Sequence, residues 1–68
     1  MNTLPVFINQ VLHELPANAC LQDAIEAAGV KPPFAAAVNL QFVPRKQYLT
    51  YALSANDQVE LIAPITGG

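Results

Sequence analysis

Apolar and polar positions fall into short blocks, each of which marks one element. Leu4 to Ile8 is apolar and rich in strand formers, with Pro5 where it suits the first residues or the edge of a strand. Asn9-Gln10 makes a tight turn, because Asn tolerates left-handed backbone angles, and Val11 to Leu15 returns as the second strand of a hairpin. A two-residue loop puts Val11, His13 and Leu15 on one face; one more loop residue exchanges the faces. Pro16-Ala17-Asn18-Ala19 breaks the strand, and the period then changes to that of a helix over Leu21 to Ala28. Leu21, Ala24, Ile25 and Ala28 form one apolar stripe, while Asp23 and Glu26 lie off it. Asp23 is near the positive end of this helix. Gly29 is placed for a left-handed cap, and Pro32-Pro33 prevents continuation. So short a helix is not stable alone, so its stripe must pack on a sheet.

Phe34 to Asn39 reads as a third strand, in which Ala35, Ala36 and Ala37 allow the helix or a partner to approach closely. Asn39-Leu40-Gln41 is a turn, Phe42-Val43 a short strand ended by Pro44, and Arg45 to Tyr48 a helical turn. Leu49 to Leu53 is a short edge segment, and Ser54-Ala55-Asn56-Asp57 a loop. Val59 to Ile65 is the last strand. Val59, Leu61, Ala63 and Ile65 share one face, with Val59 and Leu61 in the core, while Ile62 and Pro64 point the other way, toward a partner. The sum is an α+β layout: one helix on one face of a mixed sheet of four to five strands.

Composition narrows the class. Residues 1–68 make one domain, with no room for a second core. Cys20 is the only cysteine, so the fold does without disulfides and a reducing cytoplasm is the expected location. The chain is 53% hydrophobic and 12% charged, which leaves apolar surface for a partner. Its net charge is −2, with Lys31, Arg45 and Lys46 the basic residues, so the basic stripe of a nucleic-acid binder is missing. No apolar run is long enough for a membrane span, and no secretory signal pattern opens the chain.

The sequence closes on Thr66-Gly67-Gly68. Glycines add no packing to a strand, but a tail without side chains can enter a narrow slot and bend within it. Extended, these three residues reach about 10 Å. Fraying is the plain alternative.

Three segments together resemble the ThiS family, within the ThiS/MoaD group of ubiquitin-like β-grasp sulfur carriers. They are Ala37-Val38-Asn39-Leu40-Gln41-Phe42-Val43-Pro44-Arg45, Asn56-Asp57-Gln58-Val59 and the terminal Thr66-Gly67-Gly68. The resemblance covers the chain in element order and length. It implies a β-grasp fold with the first and last strands parallel at the sheet centre and a flexible Gly-Gly tail. It also implies a carrier rather than an enzyme, with no bound cofactor. A ThiF-like adenylyltransferase would use ATP to activate the Gly68 carboxylate, and a sulfur donor enzyme would convert it to a thiocarboxylate. That thiocarboxylate would then deliver sulfur to a ThiG-like thiazole synthase in thiamine biosynthesis. Cys20 stands where the family more often has a capping Thr or Ser, which weakens that cap. Ala63-Pro64-Ile65-Thr66 is also similar to the tail of MoaD-like carriers for molybdopterin synthesis. A ubiquitin-like modifier joined to lysine through Gly68, or an interaction module with an inert tail, are the remaining alternatives.

Other side chains carry weaker signals. Phe7, Ile62, Pro64 and Arg45 are the candidate partner-binding residues, each weighed against ordinary packing or a structural ion pair. Cys20 at a helix start is a candidate persulfide site, weighed against a capping or packing role. His13 has no Cys or His at ligand spacing, which favours a strand-surface role over a metal ligand. Tyr48 and Tyr51 read as edge covers.

Overall fold

A computed structural model describes residues 2–63. The elements run β1 (Thr3–Ile8), β2 (Val11–Pro16), α1 (Leu21–Ala28), β3 (Ala35–Val38), β4 (Gln41–Val43), a 3₁₀ turn (Arg45–Gln47) and β5 (Gln58–Ile62). The five strands form one sheet in the order β2-β1-β5-β3-β4. β1 and β5 are parallel neighbours at the centre, and the other pairs are antiparallel. Among the described residues, no helix is long and apolar enough to cross a membrane.

Both hairpins turn on two residues, and the backbone shows why. Asn9 and Gln10 have φ of 50° and 70°, and Asn39 and Leu40 repeat these values within a degree, at 51° and 70°. Two successive positive φ angles define the turn whose twist matches that of the flanking strands. The two-residue loop pairs Ile8 with Val11, Val6 with His13 and Leu4 with Leu15, so Val11, His13 and Leu15 do share a face. Asn39 and Leu40 alone make the second turn, so Asn39 leaves the predicted third strand and Gln41 joins β4. The predicted edge segment Leu49 to Leu53 reduces to one bridge between Ala52 and Cys20.

Pro5 lies in β1, which has neighbours on both sides, yet it breaks no ladder. Phe7 donates its N–H to Asp57 O at 2.9 Å, so the N–H positions of Phe7 and Pro5 face β5. β5 begins only at Gln58, opposite Phe7. At Pro5 the strand is locally an edge, and its carbonyl accepts from Asn56 N–H at 2.6 Å.

The core lies between one sheet face and α1. Val6, Ile8, Leu15, Ala36, Val38, Val43, Val59 and Leu61 come from the sheet, and Leu21, Ala24 and Ile25 from the helix. Tyr48 and Leu53 close its side. Tyr48 is therefore no edge cover: it is buried, with its ring stacked on Phe34 at a centroid distance of 6.0 Å.

The helix start is held by a distant segment. Cys20 N–H donates to Asp23 Oδ2 at 2.8 Å, Leu21 N–H to Tyr51 O at 2.9 Å and Gln22 N–H to Tyr48 O at 3.0 Å. The chain from Tyr48 to Tyr51 supplies the acceptors that a Ser or Thr cap would have supplied in part. The expected weak cap at Cys20 is thereby made good. At the other end Gly29 takes φ 72° and returns its N–H to Ile25 and Glu26.

Two expectations follow. Leu21 is fully buried at the helix–sheet contact, so Leu21→Ala should cost about 2–5 kcal/mol in chemical unfolding. Leu40 is 86% exposed and held at φ 70°, so Leu40→Gly should raise stability, by up to about 1 kcal/mol, although it removes a leucine.

Candidate functional site

Period-two geometry divides the sheet cleanly. The face turned away from α1 carries Pro5, Phe7, Leu12 and Glu14 from the first hairpin, and Gln58, Glu60 and Ile62 from β5. Ala35, Ala37 and Phe42 complete it from β3 and β4, with Ala37 opposite both Glu60 and Phe42. No element covers this face among the described residues. Phe42 is 69% exposed, Ile62 57% and Leu12 53%, while Phe7 is half-buried. An apolar surface of this kind, lightly studded with carboxylates, is suited to docking a protein partner.

Ile62 and Phe7 therefore occupy the same open face, as a docking role requires. They are not adjacent, since Phe7 lies opposite Gln58, four residues before Ile62. Phe42 and Leu12 belong to the same surface and were absent from the sequence-based set. Alternation next to the buried Val43 could have identified Phe42. Small Ala35 and Ala37 between Ile62 and Phe42 let a partner come close to the sheet.

Arg45 does not join them. It lines a hollow of about 530 Å³ on the helix side, with Ile25, Val30, Phe34 and Tyr48. Lys31 flanks the same hollow, and Lys46 the neighbouring one. All three cations thus sit toward the helix side, and the open face keeps Glu14 and Glu60. Pro64, Thr66, Gly67 and Gly68, also predicted as site residues, lie outside the described residues, as does Ile65 at the end of the predicted last strand.

The two remaining reactive side chains gather no site around them. His13 faces Val6 across the first hairpin and is half-buried. Cys20 is half-buried at the helix start. Among the described residues, no three His, Cys, Asp or Glu side chains come together as a metal-binding group.

What the fold does build with care is the root of the tail. β5 runs between β1 and β3, and each flanking hairpin adds an asparagine side chain to it. Asn39 Oδ1 accepts from Gln58 N–H at 3.0 Å, at the start of β5. Asn39 Nδ2 donates to Asp57 Oδ1 at 3.0 Å, and Asp57 Oδ2 accepts from Ser54 N–H at 2.8 Å. Asn9 Oδ1 accepts from Leu61 N–H at 2.9 Å, near the end of the strand. The strand that leads into the terminal segment is thus bonded at both ends.

Comparison with known proteins agrees with this architecture. The profile of the ThiS family matches residues 6–68, nearly the whole chain and including Thr66-Gly67-Gly68. No curated protein sequence matches. Among solved structures, the chain is similar to the crystal structure of a thiamine biosynthesis protein, ThiS, from Geobacter metallireducens. The TM-score is 0.75 at 14% identity, over 96% of this chain and 100% of that one. At that identity the structural likeness speaks for the fold, a β-grasp, and the profile for the family. With one helix on a five-stranded mixed sheet, a bare apolar face and a family match that extends through its terminal glycines, the chain belongs to the ThiS family of sulfur carriers in thiamine biosynthesis.

Proposed function

We propose that the working group of this protein is the Gly68 carboxylate. An ATP-dependent, ThiF-like enzyme adenylates it, and a ThiG-like thiazole synthase receives the sulfur it then carries. The observation that carries this reading is the family match running through Thr66-Gly67-Gly68. The open face of the sheet supports it, because a carrier must dock before it can present its end.

The chemistry explains the form. A carboxylate is a poor electrophile, since its charge is delocalised and oxide is a poor leaving group. A Gly68 carboxylate oxygen attacks the α-phosphorus of ATP, and pyrophosphate leaves. In the acyl-adenylate the carbonyl carbon now bears a good leaving group. A sulfide-level donor adds to that carbon and AMP departs, leaving a C-terminal thiocarboxylate. The sulfur is then the nucleophile offered to the next enzyme. The carrier contributes the reacting atoms and a docking surface, and the activating enzyme contributes the nucleotide site.

Reach and docking set the division of labour. Five residues follow Ala63, enough to span at most about 17 Å. A partner seated on Phe42, Ile62 and Phe7 would have its active site within that radius of the end of β5. Glu14 and Glu60 on the same face favour a partner with basic groups at its rim.

The direct test is the intact mass after incubation with ATP, a ThiF-like enzyme and a sulfur source. The expected product has one oxygen replaced by sulfur, and deletion of Gly68 should abolish it with the circular dichroism unchanged. An unaltered mass for the full chain would remove the proposal. Docking is tested separately. Phe42→Glu should lower kcat/KM for adenylation at least about tenfold with little loss of stability, because the side chain is already in water. Leu40→Glu, at the exposed turn beside it, should change kcat/KM less than about twofold.

A further inference from the structure

We infer that Asn9 is a positioning residue: its side-chain amide takes the place of missing strand and fixes the root of the tail. The inference rests on the carrier reading above.

Strand parity carries the argument. Asn39 N–H donates to Gln58 O at 2.8 Å, so the backbone groups of Gln58, and those of Glu60 and Ile62 two and four residues on, face β3. Those of Val59 and Leu61 face the opposite side. For Val59 that side is occupied by the first hairpin, where Asn9 N–H donates to Val59 O at 2.9 Å. For Leu61 there is no strand left. β1 ends at Ile8, opposite Val59, and the chain turns away at Asn9. Leu61 is buried, so an orphaned N–H and C=O there would be costly.

Asn9 supplies both partners. Its Oδ1 accepts from Leu61 N–H at 2.9 Å, and its Nδ2 donates to Leu61 O at 3.3 Å, across 52 residues of sequence. One side chain thus presents the acceptor and donor that a strand residue would have presented. Turn geometry alone would favour glycine as much as asparagine at this φ of 50°. Only the amide also reaches β5.

The consequence for function lies in where the clasp sits. Leu61 is the last buried residue of β5, and Ile62 is held from one side only, by Ala35 of β3. Without the amide, the N–H and C=O of Leu61, which face away from β3, are left without a partner, and the base of the arm that ends at Gly68 loosens. The docking face is untouched. The presentation of the carboxylate to an enzyme already docked is what suffers.

Asn9→Gly tests this, since glycine keeps the turn and removes only the amide. Asn39→Gly is the matched control, because it removes the equivalent clasp at the far end of β5. In Asn9→Gly, hydrogen exchange at Leu61 N–H should quicken at least about tenfold. The kcat for adenylation by a ThiF-like enzyme should fall at least about fivefold, with KM within about twofold. Asn39→Gly should lower kcat less than about twofold. An unchanged kcat in Asn9→Gly, unchanged exchange at Leu61, or an equal loss in Asn39→Gly would overturn the inference. Should Asn9→Gly not fold, Asn9→Asp replaces it. Aspartate keeps the acceptor for Leu61 N–H but cannot donate to Leu61 O, and an unchanged kcat there would be equally fatal. Failure of the wild-type chain to be adenylated at all would instead remove the carrier reading, and the positioning role with it.

Discussion

Everything in this small fold depends on how β5 is held. It is the central strand with the largest share of long-range pairing: parallel to β1, antiparallel to β3, with Val59 and Leu61 pressed into the core. It is also the strand that leads into the terminal segment. A carrier whose reacting group lies at the end of its chain needs a firm base and a free end within a few residues of each other. Central placement in the sheet provides the first. The paired asparagine clasps extend that firmness to both ends of β5, past the point where neighbouring backbone runs out.

The rest of the chain can be understood as support for that strand. α1 is only eight residues long and could not persist alone. It covers one face with Leu21, Ala24 and Ile25, and the segment around Tyr48 and Tyr51 closes over its start. Core is concentrated on this side, and so are the cations of Lys31, Arg45 and Lys46. Among the described residues nothing covers the opposite face, which is largely apolar, with small alanines beside Phe42 and Ile62. A domain of this size has little surface to spare, and concentrating the core on one face leaves the other available for the docking role proposed above.

Much of this was legible in the sequence where the cause was local. The bounds of α1 are as the stripe, Gly29 and Pro32-Pro33 predict, because each signal acts on the backbone nearby. Asn9-Gln10 marks the first turn, but the sequence leaves its loop length, and so the hairpin register, open; the pairing of Ile8 with Val11 decides for two residues. What escaped was non-local. Asn39 reads equally well as the end of a strand or the start of a turn, and pairing with β5 decides it. The helix start looked undercapped at Cys20 because, beside the local Asp23 carboxylate, its acceptors are the carbonyls of Tyr48 and Tyr51, far along the chain. Asparagine at Asn9 and Asn39 announces a left-handed turn, but nothing nearby reveals that the amides cross to another strand. Of the candidate partner-binding residues, Ile62 was placed by alternation and does share the open face with Phe7, Phe42 lies on that face without having been named, and Arg45 lines a hollow on the helix side.

Reversible activation of the chain end is the step that tests the proposed carrier role most directly. A ThiF-like enzyme incubated with ATP, labelled pyrophosphate and this protein should return label to ATP, because pyrophosphate reverses formation of the acyl-adenylate. The exchange should need the protein and vanish when the Gly68 carboxylate is converted to an amide. Exchange that persists with the amidated chain, or that never depends on the protein, would contradict it.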